Sequence, residues 1–192
     1  MKDGVRSGYK PVQDDVLKTL GLAVIAGQGV EHLMSTCLTF PLQGEPLQTK
    51  EQLYDLLERH SKATLGQLLN VLRRRVNLHP AFDEQLARFL QSRNIIVHRL
   101  QDLPGGFDLH SDEGRERLKA FLLRYMDDGQ NVSMVFLGVL REWARQEGID
   151  LPNEHHLSQS MQDYLRANTV RGLEALVSPK EHVTESGVSK AS

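Results

Sequence analysis

Six residues between positions 82 and 100 constrain this chain more than any others. Phe82, Leu86, Phe89, Arg93, Ile96 and Leu100 follow one another at steps of 4, 3, 4, 3 and 4. At about 100° per residue that spacing puts all six on one stripe of an α-helix. Five are apolar and belong against a core. The sixth is a guanidinium, and an unpaired guanidinium withdrawn from water is strongly destabilising. Arg93 therefore needs a carboxylate, a route to water, or a subunit interface that uses its charge.

The rest of the chain reads as helix too. Leu occurs 30 times against 4 Ile, and no segment alternates apolar and polar residues with period two. Straight-chain residues of this kind favour helices, so the expected class is all-α. A long helix is expected over 12–39, with Gly21, Gly27 and Gly29 marking a kink or a close approach by a neighbouring backbone. Phe40-Pro41 should end it. Thr49 looks like the side-chain cap of a short helix, another helix is expected from about Thr64 to Val76, and Pro80 opens the stripe-bearing helix. Leu103-Pro104-Gly105-Gly106-Phe107 is a turn, and Ser111-Asp112 caps a helix through Tyr125 that Asp127-Asp128-Gly129 is expected to break. Further helices are expected from Val132 to Trp143, stopping near Gly148, and from Glu154 to Val177. The expected organisation is a flexible N-terminus over 1–11, one helical domain over 12–177, and a disordered polar tail over 178–192.

Composition closes off several functions. At 192 residues with 40% apolar and 25% charged residues the chain can bury a core, and its net charge of −2 argues against a generally basic nucleic-acid binder. The charge is uneven, however. Residues 61–102 hold 7 basic and 3 acidic groups, whereas both flanks are acidic. A lone cysteine, Cys37, excludes an intrachain disulfide and reads as a small buried side chain. The start, MKDGVRSGYKPVQDD, has no apolar signal core, and no apolar run is long enough to span a bilayer, so a cytoplasmic, non-membrane protein is expected. The histidines show no metal-ligand spacing, and Gly27-Gln28-Gly29 lacks the Lys-Ser/Thr of a phosphate loop, so neither metal nor cofactor is expected.

The chemistry is concentrated on the stripe. Asn94 and His98 are four apart and share the flank of the helix beside Arg93, so the three can converge on one cleft. A guanidinium that grips phosphate, an imidazole that titrates near neutrality and an orienting amide are parts that phosphodiester chemistry uses.

Arg93-Asn94-Ile95-Ile96-Val97-His98 resembles the R-x4-6-H signature of the HEPN superfamily, including the polar residue directly after the arginine and the position near the end of a long helix. The resemblance is tight over these six residues and extends from Val12 to Ala144 by helical pattern only. It implies a HEPN-like bundle of about five to seven helices, a homodimer with a composite cleft, and metal-independent endoribonuclease activity, as in toxins and defence effectors held by an antitoxin or regulatory protein. The residue matching His98 would be the general acid or base, Arg93 would stabilise phosphoryl charge and Asn94 would orient it; the need for a 2′-hydroxyl would restrict cleavage to RNA. Glu31, on the first long helix, matches an acidic residue that relatives often place near the motif. Arg73, Arg74, Arg75, Arg88 and Arg99 are candidates for an RNA approach surface. One departure is Leu100, which replaces the tyrosine that a nucleotidyltransferase partner modifies in some toxins. The other reading is a non-catalytic HEPN-like interaction or regulatory module in which Glu31 and Arg93 are simply a buried pair.

Overall fold

A computed structural model describes residues 11–44, 48–149 and 176–179. Five α-helices dominate: α1 (Pro11–Thr39), α2 (Lys50–Lys62), α3 (Leu65–Arg75), α4 (Pro80–His98) and α5 (Asp112–Gln146). A single 3₁₀ turn (Leu100–Asp102) follows α4. Two short strands, β1 (Val76–Leu78) and β2 (Leu176–Pro179), pair antiparallel. None of the helices is long and apolar enough to cross a membrane among the described residues. The expected all-α class holds for these residues.

The helix starts follow local chemistry. Thr49 and Thr64 each accept a hydrogen bond from the backbone N–H three residues on, and Gln52 and Gln67 reach back to the cap backbone, so α2 and α3 both open on a full capping box. Ser111 caps α5 by accepting from Gly114 N–H at 3.0 Å. Pro80 occupies the first turn of α4, where its missing N–H would have no partner anyway.

The contacts between α1 and α5 run in register along both chains. Asp15 pairs with Lys119 at 3.0 Å, Gly27 faces Tyr125, the Cys37 Sγ–H donates to Phe136 O at 3.3 Å, and Phe40 meets Trp143 with ring centroids 5.6 Å apart. Both sets of numbers rise together, so the two long helices lie parallel, and α2, α3 and α4 make the return between them. Met34, Leu38, Leu69, Leu86, Leu122 and Phe136 are fully buried in the single core that results.

Tight spots in this packing explain Gly27 and Gly129, whereas a Cβ on Gly21 or Gly29 would meet nothing within 4 Å, so the close approach expected there is not made. A Cβ on Gly27 would lie 2.0 Å from the Tyr125 hydroxyl oxygen, so the approach expected in α1 is made by a side chain and not by a neighbouring backbone. Gly129 works in the same way: its Cβ would meet Phe89 Cε2 at 2.9 Å. Here the structure corrects the expected break at Asp127-Asp128-Gly129, because α5 continues through it for 35 residues. Gly129 is a packing residue, and Tyr125, Val132 and Phe136 continue the buried stripe on either side of it at helical spacing. A second correction is the strand at Leu176–Pro179, which holds the two residues assigned to the end of a helix and crosses the tail boundary placed at 178. The expected helix from Glu154, the N-terminal segment before Pro11 and the tail beyond Pro179 lie outside the described residues.

α2 is locked to α1 by a buried polar pair. The Thr39 hydroxyl donates to Ser35 O at 2.8 Å, so the Nδ1–H of His60, 2.9 Å away, is the donor to Thr39 Oγ1. Burial, with the nearby cations of Arg75 and Arg59, holds His60 below its usual 6.5, while a hydrogen bond to the Ser35 carbonyl works the other way.

Two outcomes follow from this packing. Gly27→Ala should cost about 2 kcal/mol in denaturant unfolding by overpacking against Tyr125, and adding Tyr125→Phe should return part of that loss because the clashing hydroxyl is gone. For His60, the folded state disfavours the charged form, so its contribution is full above pH 6.5 and is lost as pH falls below that value toward the depressed one. Unfolding midpoints measured from pH 7.5 to 5.5 should fall for the wild type and fall less for His60→Gln.

Candidate functional site

α4 carries the residues singled out from sequence on its last two turns, and its apolar stripe decides which face meets the core. Phe82, Leu86, Phe89 and Ile96 are buried along that face, and Arg93 sits among them with its side chain only 19% exposed. The charge is matched from α1: Arg93 Nε lies 2.7 Å from Glu31 Oε1, and Glu31 itself is 22% exposed. The other side of the guanidinium faces the end of its own helix. Arg93 Nη1 is 3.2 Å from His98 Nε2. Since a guanidinium nitrogen can only donate, the His98 Nε2 accepts and the imidazole proton is on Nδ1.

One guanidinium thus bridges a carboxylate from α1 and an exposed imidazole at the C-terminus of α4. Asn94 lies half-buried on the same turn as Arg93 and makes no side-chain hydrogen bond among the described residues. Of the four residues singled out from sequence, the structure brings Glu31, Arg93 and His98 into one linked set and leaves Asn94 beside it.

Beneath the set lies an aromatic floor that periodicity alone reads as ordinary core. Tyr125 is buried and stacks on Phe89 with centroids 4.8 Å apart and planes 5° from parallel. Burial raises the Tyr125 hydroxyl to about 12, the Glu31 carboxylate adds to that, and the Arg93 cation opposes it. The phenol therefore stays protonated beside the ion pair. The sequence signal that could have found it is Gly27, a helix-interior glycine whose missing side chain makes the room for this hydroxyl.

On the α2 side of Glu31 a cleft of about 570 Å³ opens between α1 and the α2–α3 junction. Glu31, His32, Thr36, Glu58, His60 and Ser61 contribute to its wall. No motif marks these residues, because they come from two helices, α1 and α2, and meet only when the helices pack.

The five arginines proposed for an approach surface do not form one open patch. Arg73 pairs with Asp83 at 2.7 Å, Arg88 with Asp128 at 3.5 Å and Arg99 with Asp102 at 3.8 Å. Arg75 donates through Nη1 to the carbonyls of Leu38 and Leu42 at 2.6 and 2.9 Å, closing the C-terminal end of α1. Arg74 is exposed, with no ion pair among the described residues. Cys37 is fully buried and burial pushes its thiol up to about 12, which leaves no reactive thiolate. Among the described residues no group of three or more His, Cys, Asp or Glu could hold a metal ion.

Compared with family models, with curated proteins and with solved structures, the chain matches none.

The Glu31–Arg93 pair is directly measurable. Glu31→Gln and Arg93→Met each leave a partly buried group without its partner, and a double-mutant cycle in denaturant unfolding should give a coupling of about 1–2 kcal/mol. A coupling near zero would remove the pair as a structural element.

Proposed function

We propose that this chain is a metal-independent endoribonuclease of the HEPN type, acting as a homodimer on RNA in the cytoplasm. The observation that carries the reading is the Arg93 guanidinium held between Glu31 and His98, with the imidazole exposed and its Nε2 unprotonated. An unprotonated nitrogen next to a fixed cation is the arrangement that a general base beside a phosphoryl-binding group requires.

In this mechanism an incoming phosphate draws the Arg93 Nη1–H toward its oxygens and releases His98 Nε2. That nitrogen takes the proton of the ribose 2′-hydroxyl as the 2′ oxygen bonds to phosphorus. The bond from phosphorus to the 5′ oxygen breaks, and the leaving oxygen takes a proton from the matching imidazole of a second copy, which enters the step as the imidazolium and leaves it neutral while His98 becomes protonated. The products are a 2′,3′-cyclic phosphate and a 5′-hydroxyl. Glu31 keeps Arg93 charged and aimed, and Asn94 orients the phosphoryl group. A toxin or defence effector with an antitoxin or regulatory partner fits such an activity.

One observation favours a second reading. Glu31 satisfies the Arg93 charge at 2.7 Å with no chemistry required, as in a helical interaction or regulatory module that keeps the fold and not the reaction.

Purified protein incubated with total RNA and tRNA in excess EDTA decides between them. Cleavage by the wild type, lost at least 100-fold in His98→Ala and in Arg93→Ala with helix content and oligomeric state unchanged, is the expected result. Intact RNA after long incubation at high protein concentration would leave the interaction module.

A further inference from the structure

The cleft between α1 and the α2–α3 junction shares Glu31 with the Arg93–His98 set, yet the mechanism uses only the Arg93 side of that carboxylate. Its volume of about 570 Å³ lies within the range of small-molecule sites. Its chemistry is lopsided toward acceptors. Glu31 and Glu58 bring carboxylates, the first paired with Arg93 and the second with Lys62, and each keeps oxygen lone pairs beyond its cation. The Thr36 hydroxyl spends its proton on His32 O and the Ser61 hydroxyl spends its own on Glu58 O, both at 2.9 Å, so each turns oxygen lone pairs outward. His60, which burial holds below its usual 6.5 and so neutral at about pH 7, brings no cation to the wall, and Leu57, Ala63 and Leu68 supply apolar surface.

A wall of carboxylate and hydroxyl oxygens beside apolar surface suits a neutral, flat ligand rich in N–H donors. The cation for a phosphate stands next door, at Arg93. The two ends of a nucleotide would therefore divide, with the base in the acceptor-lined cleft and the phosphate at the guanidinium.

We propose that the α1–α2 cleft is a nucleobase subsite of the same site, and that it selects guanine. Guanine alone among the four bases presents an imino N–H and an amino group side by side on its pairing edge, three N–H bonds that match a carboxylate and neighbouring hydroxyl oxygens, with its ring faces against Leu57 and Leu68. The inference rests on the ribonuclease reading for its substrate class, and its test is built so that the two can fail separately.

The test is calorimetric titration of the His98→Ala protein with 5′-GMP, 5′-AMP, 5′-CMP and 5′-UMP, alongside mapping of the wild-type cleavage products. GMP should bind at least tenfold more tightly than the others. Ser61→Trp, which fills the rim from an exposed helix position, should abolish that binding with the helical signal unchanged, and Glu58→Gln should weaken it about tenfold. Wild-type cuts should fall beside guanosine. Equal affinity for all four nucleotides, no binding, or GMP binding untouched by Ser61→Trp would overturn the subsite. RNA cleaved without guanosine preference would overturn it while leaving the ribonuclease standing, and GMP binding with no cleavage of any RNA would do the reverse.

Discussion

The architecture around α4 turns on one charge in a place built for apolar side chains. Arg93 occupies the middle of a core-facing stripe, so something must stand opposite it, and Glu31 does so at 2.7 Å. That requirement fixes how α1 and α4 are rotated toward each other: a turn of either helix by one residue would carry the carboxylate about 100° away and leave two half-buried charges unmatched. The neighbouring contacts are consistent with that rotation. Gly129 closes on both Phe89 and Val30 near the ion pair, and Tyr125 lies against Gly27 while stacking on Phe89.

The same rotation decides what faces outward. With the Arg93 Nε side committed to α1, the Nη1 side is left toward the end of α4, where the chain leaves helical geometry at Arg99 (φ −144°) and His98 is exposed. The guanidinium that meets Glu31 through Nε is thus also the one that meets the His98 imidazole through Nη1. One side chain makes both contacts, which is why Arg93 bears on both the enzymatic and the interaction reading.

Much of this was legible in the residue order. The caps at Thr49 and Ser111 announce themselves by short-range hydrogen bonding, and the turn at Leu103–Phe107 by its paired glycines, which adopt φ of 82° and 83°. The convergence of Arg93 and His98 follows from spacing on one helix, whereas Glu31 was pointed to by the HEPN resemblance, which implies an acidic residue on an early helix near the motif. The uninterrupted α5 was not legible: Asp-Asp-Gly carries a local breaking signal, and only the ring of Phe89, brought in from another helix, explains why a glycine stands at 129 and the helix goes on. Nor was the fate of the basic segment. Arg73, Arg88 and Arg99 read as a patch in one dimension, but each finds a carboxylate, and Arg75 turns inward to carbonyls.

The sequence by itself determined which segments are helical, where most of them begin, and that a cation and an imidazole share the end of α4. These are consequences of chemistry within a few residues: capping, periodicity, and the reach of a side chain over one or two turns. Only the tertiary structure decided that α1 and α5 run side by side in the same direction, that a tyrosine from α5 lies under the ion pair, and that α1, α2 and α3 leave an acceptor-lined cleft beside Glu31. Those facts depend on contacts between residues up to about a hundred positions apart, such as Cys37 with Phe136. Such contacts are set by how whole faces fill the space between helices, and close packing leaves few ways to fill it.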